Sequence, residues 1–197
     1  MRVQNGQLVL IPVDHVQIEG MLSLPDSPKG LILFAHGSGS SRFSPRNRAV
    51  AAALQAEGFA TLLFDLLSEA EAADRANVFD IALLAARVGL AVQAARRMPA
   101  TAGLPIGLFG ASTGAAAALW AAADLPDAIG AVVSRGGRPD LAGAKLPEVR
   151  APTLLIVGGE DEQVIALNQT ALRQLACPAE VQIVPGATHL FEEPGTL

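Results

Sequence analysis

Short apolar runs alternate with longer amphipathic stretches along most of the chain. The runs are rich in Val, Ile, Leu and Phe, without regular polar interruption, which is typical of strands buried on both faces of a parallel sheet. The predicted parallel strands are 30–35, 60–66, 104–109, 128–133, 153–157 and 180–184. The predicted helices between them are 46–57, 77–97, 114–123 and 162–175. This alternation predicts an α/β fold, with a mostly parallel sheet flanked by helices.

Two further apolar runs, 8–13 and 16–24, precede the alternating part. The link between them is too short for a crossover, so they are predicted to form an antiparallel pair at the sheet edge, with His15 on the surface near the turn. We find no internal repeat and no linker-like segment. The chain is therefore predicted to be a single α/β domain over residues 1–197.

Composition narrows the class of protein. Apolar residues make up 51% of the chain, which is enough for one large core, and the formal net charge is -5. A negative charge argues against a nucleic-acid or anionic membrane partner. There is no apolar run of membrane-spanning length and no secretion signal, and Cys177 is the only cysteine. These features predict a cytoplasmic protein without disulfides or a cysteine-rich metal site.

A G-x-S-x-G pentapeptide, residues 110–114, lies between the predicted strand 104–109 and the alanine-rich helix 114–123. The pentapeptide alone is a weak signal. A strand before it and a helix after it are the context of a nucleophile elbow, in which glycines permit a tight turn that exposes the serine hydroxyl. This context predicts that Ser112 is a catalytic nucleophile.

A serine nucleophile needs a base, and the base is in turn oriented by an acid. His189 follows the last predicted strand, where a base at the carboxyl end of the sheet would lie. Asp161 follows the strand 153–157, with Glu160 beside it as the alternative acid. The order Ser112, Asp161, His189 is the order that this architecture uses.

The glycine-rich turn after the strand 30–35 is predicted to help stabilise an oxyanion. The N–H of Ser38, or alternatively that of Gly39, would act with the N–H of Thr113, the residue after the nucleophile. His36 is predicted to hold this turn through backbone hydrogen bonds. The spacing does not match a phosphate-binding glycine loop.

Arginines are the candidate substrate-binding residues. Arg42 and Arg135 lie in loops predicted to border the site, and a guanidinium can bind a carboxylate or phosphate bidentately. The alternative is surface ion pairing with Asp74, Asp80, Asp140 or a helix terminus. Between Arg135 and Pro152 there is too little chain for a lid domain, so an open site is expected. We expect no cofactor and no metal, because the scattered histidines lack ligand spacing.

Several segments together resemble the α/β-hydrolase superfamily, and within it the dienelactone hydrolase-like branch, including hydrolase domains fused to phosphoribosyltransferases. The segments that carry the resemblance are 36–39, 41–47, 110–114, 134–140, 158–161 and 186–189. The branch's namesake enzymes use a cysteine nucleophile where this chain has Ser112. The resemblance therefore implies an α/β-hydrolase fold and general carboxylic-ester hydrolysis.

The predicted function is a serine hydrolase that cleaves small-molecule carboxylic esters through an acyl-enzyme. A thioesterase, lactonase or acyltransferase with the same triad is the alternative, and a non-catalytic binding module on this fold is a second one. The fold usually closes with a helix after the catalytic histidine, and residues 191–197 leave little room for it. We expect either that the natural chain continues past Leu197, or that something else covers this face of the sheet, such as a partner subunit in a homo-oligomer.

Overall fold

The computed structural model describes residues 6–13 and 16–197, so His15 lies outside the described residues. One eight-stranded sheet runs through it in the order β1-β2-β4-β3-β5-β6-β7-β8. The strands are β1 Gln7–Val13, β2 Val16–Ser23, β3 Leu31–Ala35, β4 Ala60–Phe64, β5 Ile106–Ala111, β6 Ala131–Arg135, β7 Thr153–Gly158 and β8 Ala179–Val184. β1 and β2 form the predicted antiparallel pair, and every pair from β4 to β8 is parallel. The predicted α/β class is confirmed.

Helices occupy the crossovers between the parallel strands. They are α1 Pro45–Ala56, α2 Glu69–Ala72, α3 Arg75–Phe79, α4 Ile81–Arg97, α5 Thr113–Asp124 and α6 Glu162–Leu172, with a 3₁₀ segment at Pro139–Glu148. The prediction of a single helix over 77–97 is wrong at its N-terminal end, where the structure has two helices. Asp80 has an extended backbone, and its carboxylate accepts the Leu83 N–H at 3.0 Å, so it begins α4 as an N-cap and separates it from α3.

The sheet has a large core on one face and a small one on the other. The large cluster contains buried residues of α4, α5 and α6, including the alanines of α5 that let this helix lie close to the strands. The small cluster lies under α1 and consists of Phe34, Ala51, Leu63 and Phe109. Both layers hold the carboxyl ends of β3, β5, β7 and β8 at one edge, where ligands bind in open α/β sheets.

The face that carries α1 is less well covered beyond β6. Ala131 is exposed and Val133, Leu154 and Ile156 are half-buried, while Val132 and Leu155 on the opposite face are fully buried. After β8 the described chain forms turns and no helix. The predicted lack of a closing helix is thus observed within the described residues, and a homo-oligomer stays a prediction.

No lid domain interrupts the region between β6 and β7, where residues 136–152 contain only the 3₁₀ segment. The chain instead makes an excursion between β4 and α4, residues 68–80, which carries α2 and α3. Of the helices in the described part of the chain, none is both long enough and apolar enough to cross a membrane.

Candidate active site

Ser112 occupies a strained turn between β5 and α5. Its φ of 51° and ψ of -122° lie in a region that non-glycine residues rarely adopt. The turn is possible because the flanking glycines contact other backbone directly. A Cβ on Gly110 would lie 2.4 Å from Ala115 Cα, and one on Gly114 would lie 2.3 Å from the Ala35 carbonyl oxygen. Strain of this kind clusters at functional sites, which fits a nucleophile elbow.

His189 and Asp161 form a hydrogen-bonded pair at the carboxyl edge of the sheet. His189 Nδ1 lies 2.6 Å from Asp161 Oδ2. Asp161 is the N-cap residue of α6, yet its side chain caps no backbone N–H of that helix. An N-cap aspartate normally accepts such a bond. Its carboxylate instead orients the imidazole, which leaves the Nε2 lone pair of His189 free to accept a proton.

The loops after β7 and β8 pack tightly enough to fix this pair. The Glu160 N–H donates to the Ala187 carbonyl at 3.0 Å, and the Gly159 N–H donates to the Val184 carbonyl at 2.8 Å. A Cβ on Gly158 would lie 2.4 Å from the Ala187 carbonyl oxygen. These contacts explain why Asp161 reaches His189, whereas the side chain of Glu160 is exposed and makes no bond to that ring.

A cavity of about 270 Å³ brings Ser112 and His189 together with polar groups from α1 and β6. Its wall includes Arg46 and Asn47 at the start of α1 and Arg135 at the end of β6. The structure therefore places the predicted nucleophile, the predicted base and one predicted substrate-binding arginine around one space.

The loop after β3 lies directly against the elbow. A Cβ on Gly37 would be 2.9 Å from Ser112 Cβ, so only a glycine allows this approach. The predicted donor Ser38 is adjacent, and its N–H donates to Thr113 Oγ1 at 3.0 Å. Gly39, the alternative donor, has a φ of 69° and no atom within 4 Å of its Cβ position. The amide of Ser38 is thus engaged by a side chain in this structure.

His36 holds this loop as predicted, through bonds to backbone on two sides. Its Nδ1 lies 2.9 Å from the Gly37 carbonyl oxygen, and its Nε2 accepts the Leu66 N–H at 3.1 Å. One partner accepts and the other donates, so the ring is neutral with its proton on Nδ1. Burial lowers the pKa of His36 below its ordinary value of 6.5, against the opposing influence of Gly37 and Asp65.

We expect the folded protein to lose stability as the pH falls from 7.5 to 5.5, in part because of His36. Its pKa is lower in the folded state, so the unfolded chain takes up this proton first. The contribution of neutral His36 to the free energy of unfolding is fully present above pH 6.5, and it is lost as the pH falls through the pKa of His36 in the folded protein. Urea unfolding at both pH values measures it. His36→Gln should be less stable at pH 7.5 and show a shallower pH dependence, and parallel pH dependences would contradict the role.

Arg42 is already paired within the protein. Its guanidinium forms ion pairs with Asp65 and Glu19 and lies 4.2 Å from the centroid of the Phe43 ring. The Arg42 N–H also donates to Asp65 at 2.8 Å. These contacts tie the loop after β3 to the end of β4. The partners are not those that the sequence suggested, but the ion-pairing alternative describes this arginine.

Arg135 has a different environment. It is only 9% exposed and no carboxylate pairs with it among the described residues. Its Nη2 donates to Asn47 Oδ1 at 3.1 Å, the rings of Phe109 and Phe191 lie 5.5 and 6.0 Å away, and its buried Nη1 has no protein partner in the described part of the chain. Burial, with the nearby charge of Arg46, lowers its pKa to about 10, so it stays cationic at neutral pH.

A second cavity, of about 280 Å³, opens on the other side of the loop after β3. Gly37, Ser38 and Ser40 of that loop border both cavities, and Thr113 borders this one. Its remaining wall comes from the rest of that loop, residues 65–67 after β4, the excursion 68–80 and α4, and it includes the charged side chains of Arg42, Asp65 and Glu69. The apolar lining residues are Phe43, Leu66, Leu67, Ala72, Val78 and Leu84. The loop after β3 thus separates a polar cavity, which Ser112 and Arg135 line, from a second cavity with a large apolar part.

Two polar residues near the site were not predicted from the sequence. Asn47 is buried in α1 and accepts from Arg135. Asn168 is fully buried in α6, and its side-chain amide donates to the Gly137 carbonyl at 3.0 Å. Gly137 is followed in the chain by Arg138, whose N–H donates to the Ser112 carbonyl. An asparagine inside a predicted amphipathic helix was the available signal, because buried amides need partners.

The chain matches a known protein family over most of its length. The family model described as "Dienelactone hydrolase family" matches residues 18–196. The chain belongs to this family. The crystal structure of a dienelactone hydrolase from Anabaena variabilis is 52% identical, covers 100% of this chain and 92% of that one, and superposes with a TM-score of 0.95. The predicted superfamily and branch are confirmed, and so is the α/β-hydrolase fold.

Other members and neighbours differ in length or in sequence. Proteins from two strains of Mycobacterium tuberculosis, provisionally named phosphoribosyl transferases, are 57% identical over 100% of this chain. The chain spans 44% of their length, in keeping with the predicted likeness to fused hydrolase domains. The fold is also that of Est1E from Butyrivibrio proteoclasticus, with 17% identity, a TM-score of 0.80 and coverage of 94% of this chain and 91% of that one. The family indicates that this dienelactone hydrolase-like protein is a hydrolase.

Proposed function

We propose that this protein is a serine hydrolase that cleaves small carboxylic esters through an acyl-enzyme, with Ser112 as nucleophile, His189 as base and Asp161 as the orienting acid. The observation that carries the proposal is the combination of a strained serine with a carboxylate-oriented histidine on one cavity. A binding module on this fold has no need of either the strain or the pair. We expect it to act in the cytoplasm.

The proposed reaction has two halves. In the first, His189 Nε2 takes the proton of the Ser112 hydroxyl as Oγ attacks the ester carbonyl, and His189 then protonates the departing alcohol. In the second, a water molecule gives one proton to His189 as its oxygen attacks the acyl carbon. His189 then returns that proton to Ser112 Oγ as the acyl–Oγ bond breaks, which releases the free acid and restores the serine hydroxyl. Asp161 keeps the Nδ1 proton in place throughout and stabilises the imidazolium that forms twice per turnover.

A covalent probe tests the proposal most directly. A fluorophosphonate reacts only with an activated serine, and we expect stoichiometric labelling that mass spectrometry localises to Ser112. Turnover of p-nitrophenyl esters, from acetate to long acyl chains, would then measure the acyl preference. Folded protein that neither reacts with the probe nor hydrolyses any of these esters would contradict the proposal and favour a binding module. Thioesters and lactones in the same assay would distinguish the enzymatic alternatives.

Of the two arginines predicted to bind substrate, Arg135 is the one that we retain. It borders the cavity that contains Ser112, and no protein carboxylate neutralises it in the described part of the chain. Arg42 is neutralised by Asp65 and Glu19. We therefore propose that esters with an anionic group near the scissile bond are preferred over neutral ones.

Replacement of Arg135 should affect anionic esters selectively. For Arg135→Gln we expect kcat/KM on a p-nitrophenyl half-ester of glutarate to fall by about 10- to 100-fold, the value of a hydrogen bond to a charged group. The same variant should change kcat/KM on p-nitrophenyl acetate by less than about threefold, since that substrate has no charge to recognise. Arg42→Gln is the matched control and should not alter the ratio between the two substrates. Equal losses on both esters in Arg135→Gln would refute the selectivity.

A further inference from the structure

A second guanidinium, that of Arg46, lines the cavity that contains Ser112. Arg46 lies at the start of α1, and its neighbours Ser44 and Asn47 border the cavity as well. Arg135 lines the same space, and the charge of Arg46 is, after burial, the second cause of its lowered pKa. An anionic group in this cavity is therefore attracted by two cations, to which the partial positive charge of the helix N-terminus adds.

Arg135 alone leaves part of the hydrogen-bonding capacity of such an anion unused. Its Nη2 donates to Asn47 Oδ1 at 3.1 Å, and its Nη1 is the buried nitrogen that has no partner among the described residues. A carboxylate has two oxygens, and it is bound most strongly when both of them accept from a cation. The free nitrogen of Arg135 serves one oxygen. Arg46 is a cationic side chain on the same cavity that can serve the other.

A carboxylate of the chain itself holds Arg46 in this structure. Arg46 Nη1 donates to Glu192 Oε1 at 2.6 Å, and the pair joins α1 to the segment that follows His189. The side chain of Glu192 is 61% exposed and that of Arg46 is 31% exposed, so water reaches both. Exposed ion pairs contribute little to stability, so another anion can replace Glu192 at small cost. Arg42, which has two carboxylate partners, is not released in this way.

The segment after His189 contacts both arginines of the cavity. Phe191 is 3% exposed, and its ring lies 6.0 Å from the Arg135 guanidinium, while the next residue, Glu192, pairs with Arg46. Phe191 has a φ of 54°, which bulky residues rarely adopt. Such strain persists only where the surrounding structure holds the backbone, and it clusters at functional sites. The carboxylate of Glu192 is therefore held beside the arginines by a segment with a fixed conformation.

We propose that Arg46 and Arg135 together bind the anionic group of the substrate, and that Glu192 is an internal competitor that occupies Arg46 until this group displaces it. Glu192 is then a specificity-determining residue. It weakens the binding of every anion, and only an ester whose anionic group reaches both arginines compensates for its displacement. This inference rests on the proposed serine hydrolase function and adds two residues to its preference for anionic esters.

Removal of the competing charge should increase the preference for anionic esters. For Glu192→Gln we expect the ratio of kcat/KM on the p-nitrophenyl half-ester of glutarate to kcat/KM on p-nitrophenyl acetate to rise by about two- to fivefold, the value of an exposed ion pair. The rise should come from a lower KM for the half-ester, because the competition acts on binding. Steady-state kinetics on both esters measure it, and an unchanged or lower ratio would overturn the proposal.

A double variant tests whether Glu192 acts through Arg46. Arg46→Gln should lower the same ratio by about 10-fold, the lower end for a hydrogen bond to a charged group, because Arg46 is partly exposed. In the Arg46→Gln background, Glu192→Gln should change the ratio by less than about 1.5-fold, since the competition is gone and salt screens an exposed carboxylate. A gain of the same size in both backgrounds would refute the competition, because it would reflect only the loss of a negative charge.

Glu160→Gln is the matched control for the removal of one charge near His189. The Glu160 side chain is exposed and lies outside the cavity wall, so its variant should leave the ratio unchanged. Glu193 is less suitable, because its carboxylate accepts the Thr188 N–H beside His189. If Glu192→Gln instead lowered kcat equally on both esters together with the melting temperature, the pair would serve only to hold the His189 segment, and the proposal would fail.

The labelling of Ser112 distinguishes failure of this inference from failure of the proposed function. A wild-type protein that reacts with the fluorophosphonate and hydrolyses both esters, but whose ratio does not respond to Glu192→Gln or Arg46→Gln, would refute the inference alone. A wild-type protein that is neither labelled nor active would refute both proposals.

Discussion

Ser112→Ala is expected to lower kcat for p-nitrophenyl ester hydrolysis by about 10⁴- to 10⁶-fold, the range found when a serine nucleophile is removed from a triad. The remaining groups can still bind and polarise the ester, but no acyl-enzyme can form. The strain at Ser112 predicts a second effect. Alanine must adopt the same φ of 51°, so the variant should not gain stability from a relaxed turn.

The measurement is steady-state hydrolysis with purified variant, accompanied by a thermal melt. Ser134→Ala is a suitable control, because Ser134 is fully buried in the neighbouring strand β6 and its hydroxyl has no partner among the described residues. That variant should keep wild-type kcat. Residual activity of Ser112→Ala above one part in 10³ would indicate another nucleophile or a direct attack by water.

Asp161→Asn is expected to lower kcat by about 10⁴-fold, as in the aspartate-to-asparagine change of the serine protease triad. The asparagine amide can donate to His189 Nδ1, which would place the ring proton on Nε2, and His189 could then no longer accept from Ser112. The 2.6 Å contact makes this dependence strong, since the ring has no other acid within bonding distance among the described residues.

Glu160→Gln is the matched control for this change, one residue away and of the same chemical kind. The Glu160 side chain is exposed, and its backbone rather than its carboxylate contacts the loop that carries His189. Its kcat should remain within about twofold of wild type, as for surface substitutions that touch no special feature. A large loss in Glu160→Gln with little loss in Asp161→Asn would assign the acid to Glu160 instead.

Most of the fold followed from the sequence because its signals are local. The buried strands are continuous apolar runs, and their predicted positions overlap all eight observed strands. The elbow could be located because a tight turn requires glycines at 110 and 114, where backbone contacts leave no space for a Cβ. Likewise, the placement of His189 and Asp161 after consecutive strands of the sheet followed from chain order and strand direction.

What the sequence did not show depends on contacts between distant residues. The pairing of Arg42 with Asp65 and Glu19 joins separate loops, and no spacing rule relates them. The bond from Ser38 to Thr113 depends on one side-chain rotamer at the elbow. The helices α2 and α3 are too short for a periodic pattern, and their capping residues Ser68 and Asp74 determine where they begin.

The excursion 68–80 lies apart from the proposed catalytic residues. It connects the end of β4 to the start of α4, and its own side chains cap the helices α2, α3 and α4. It carries none of the groups proposed to perform the chemistry. It does form part of the apolar cavity beside the elbow. We therefore expect substitutions in this segment to change the substrate preference of the proposed enzyme while leaving its proposed catalytic residues in place. Loop grafting between members of the family should begin there.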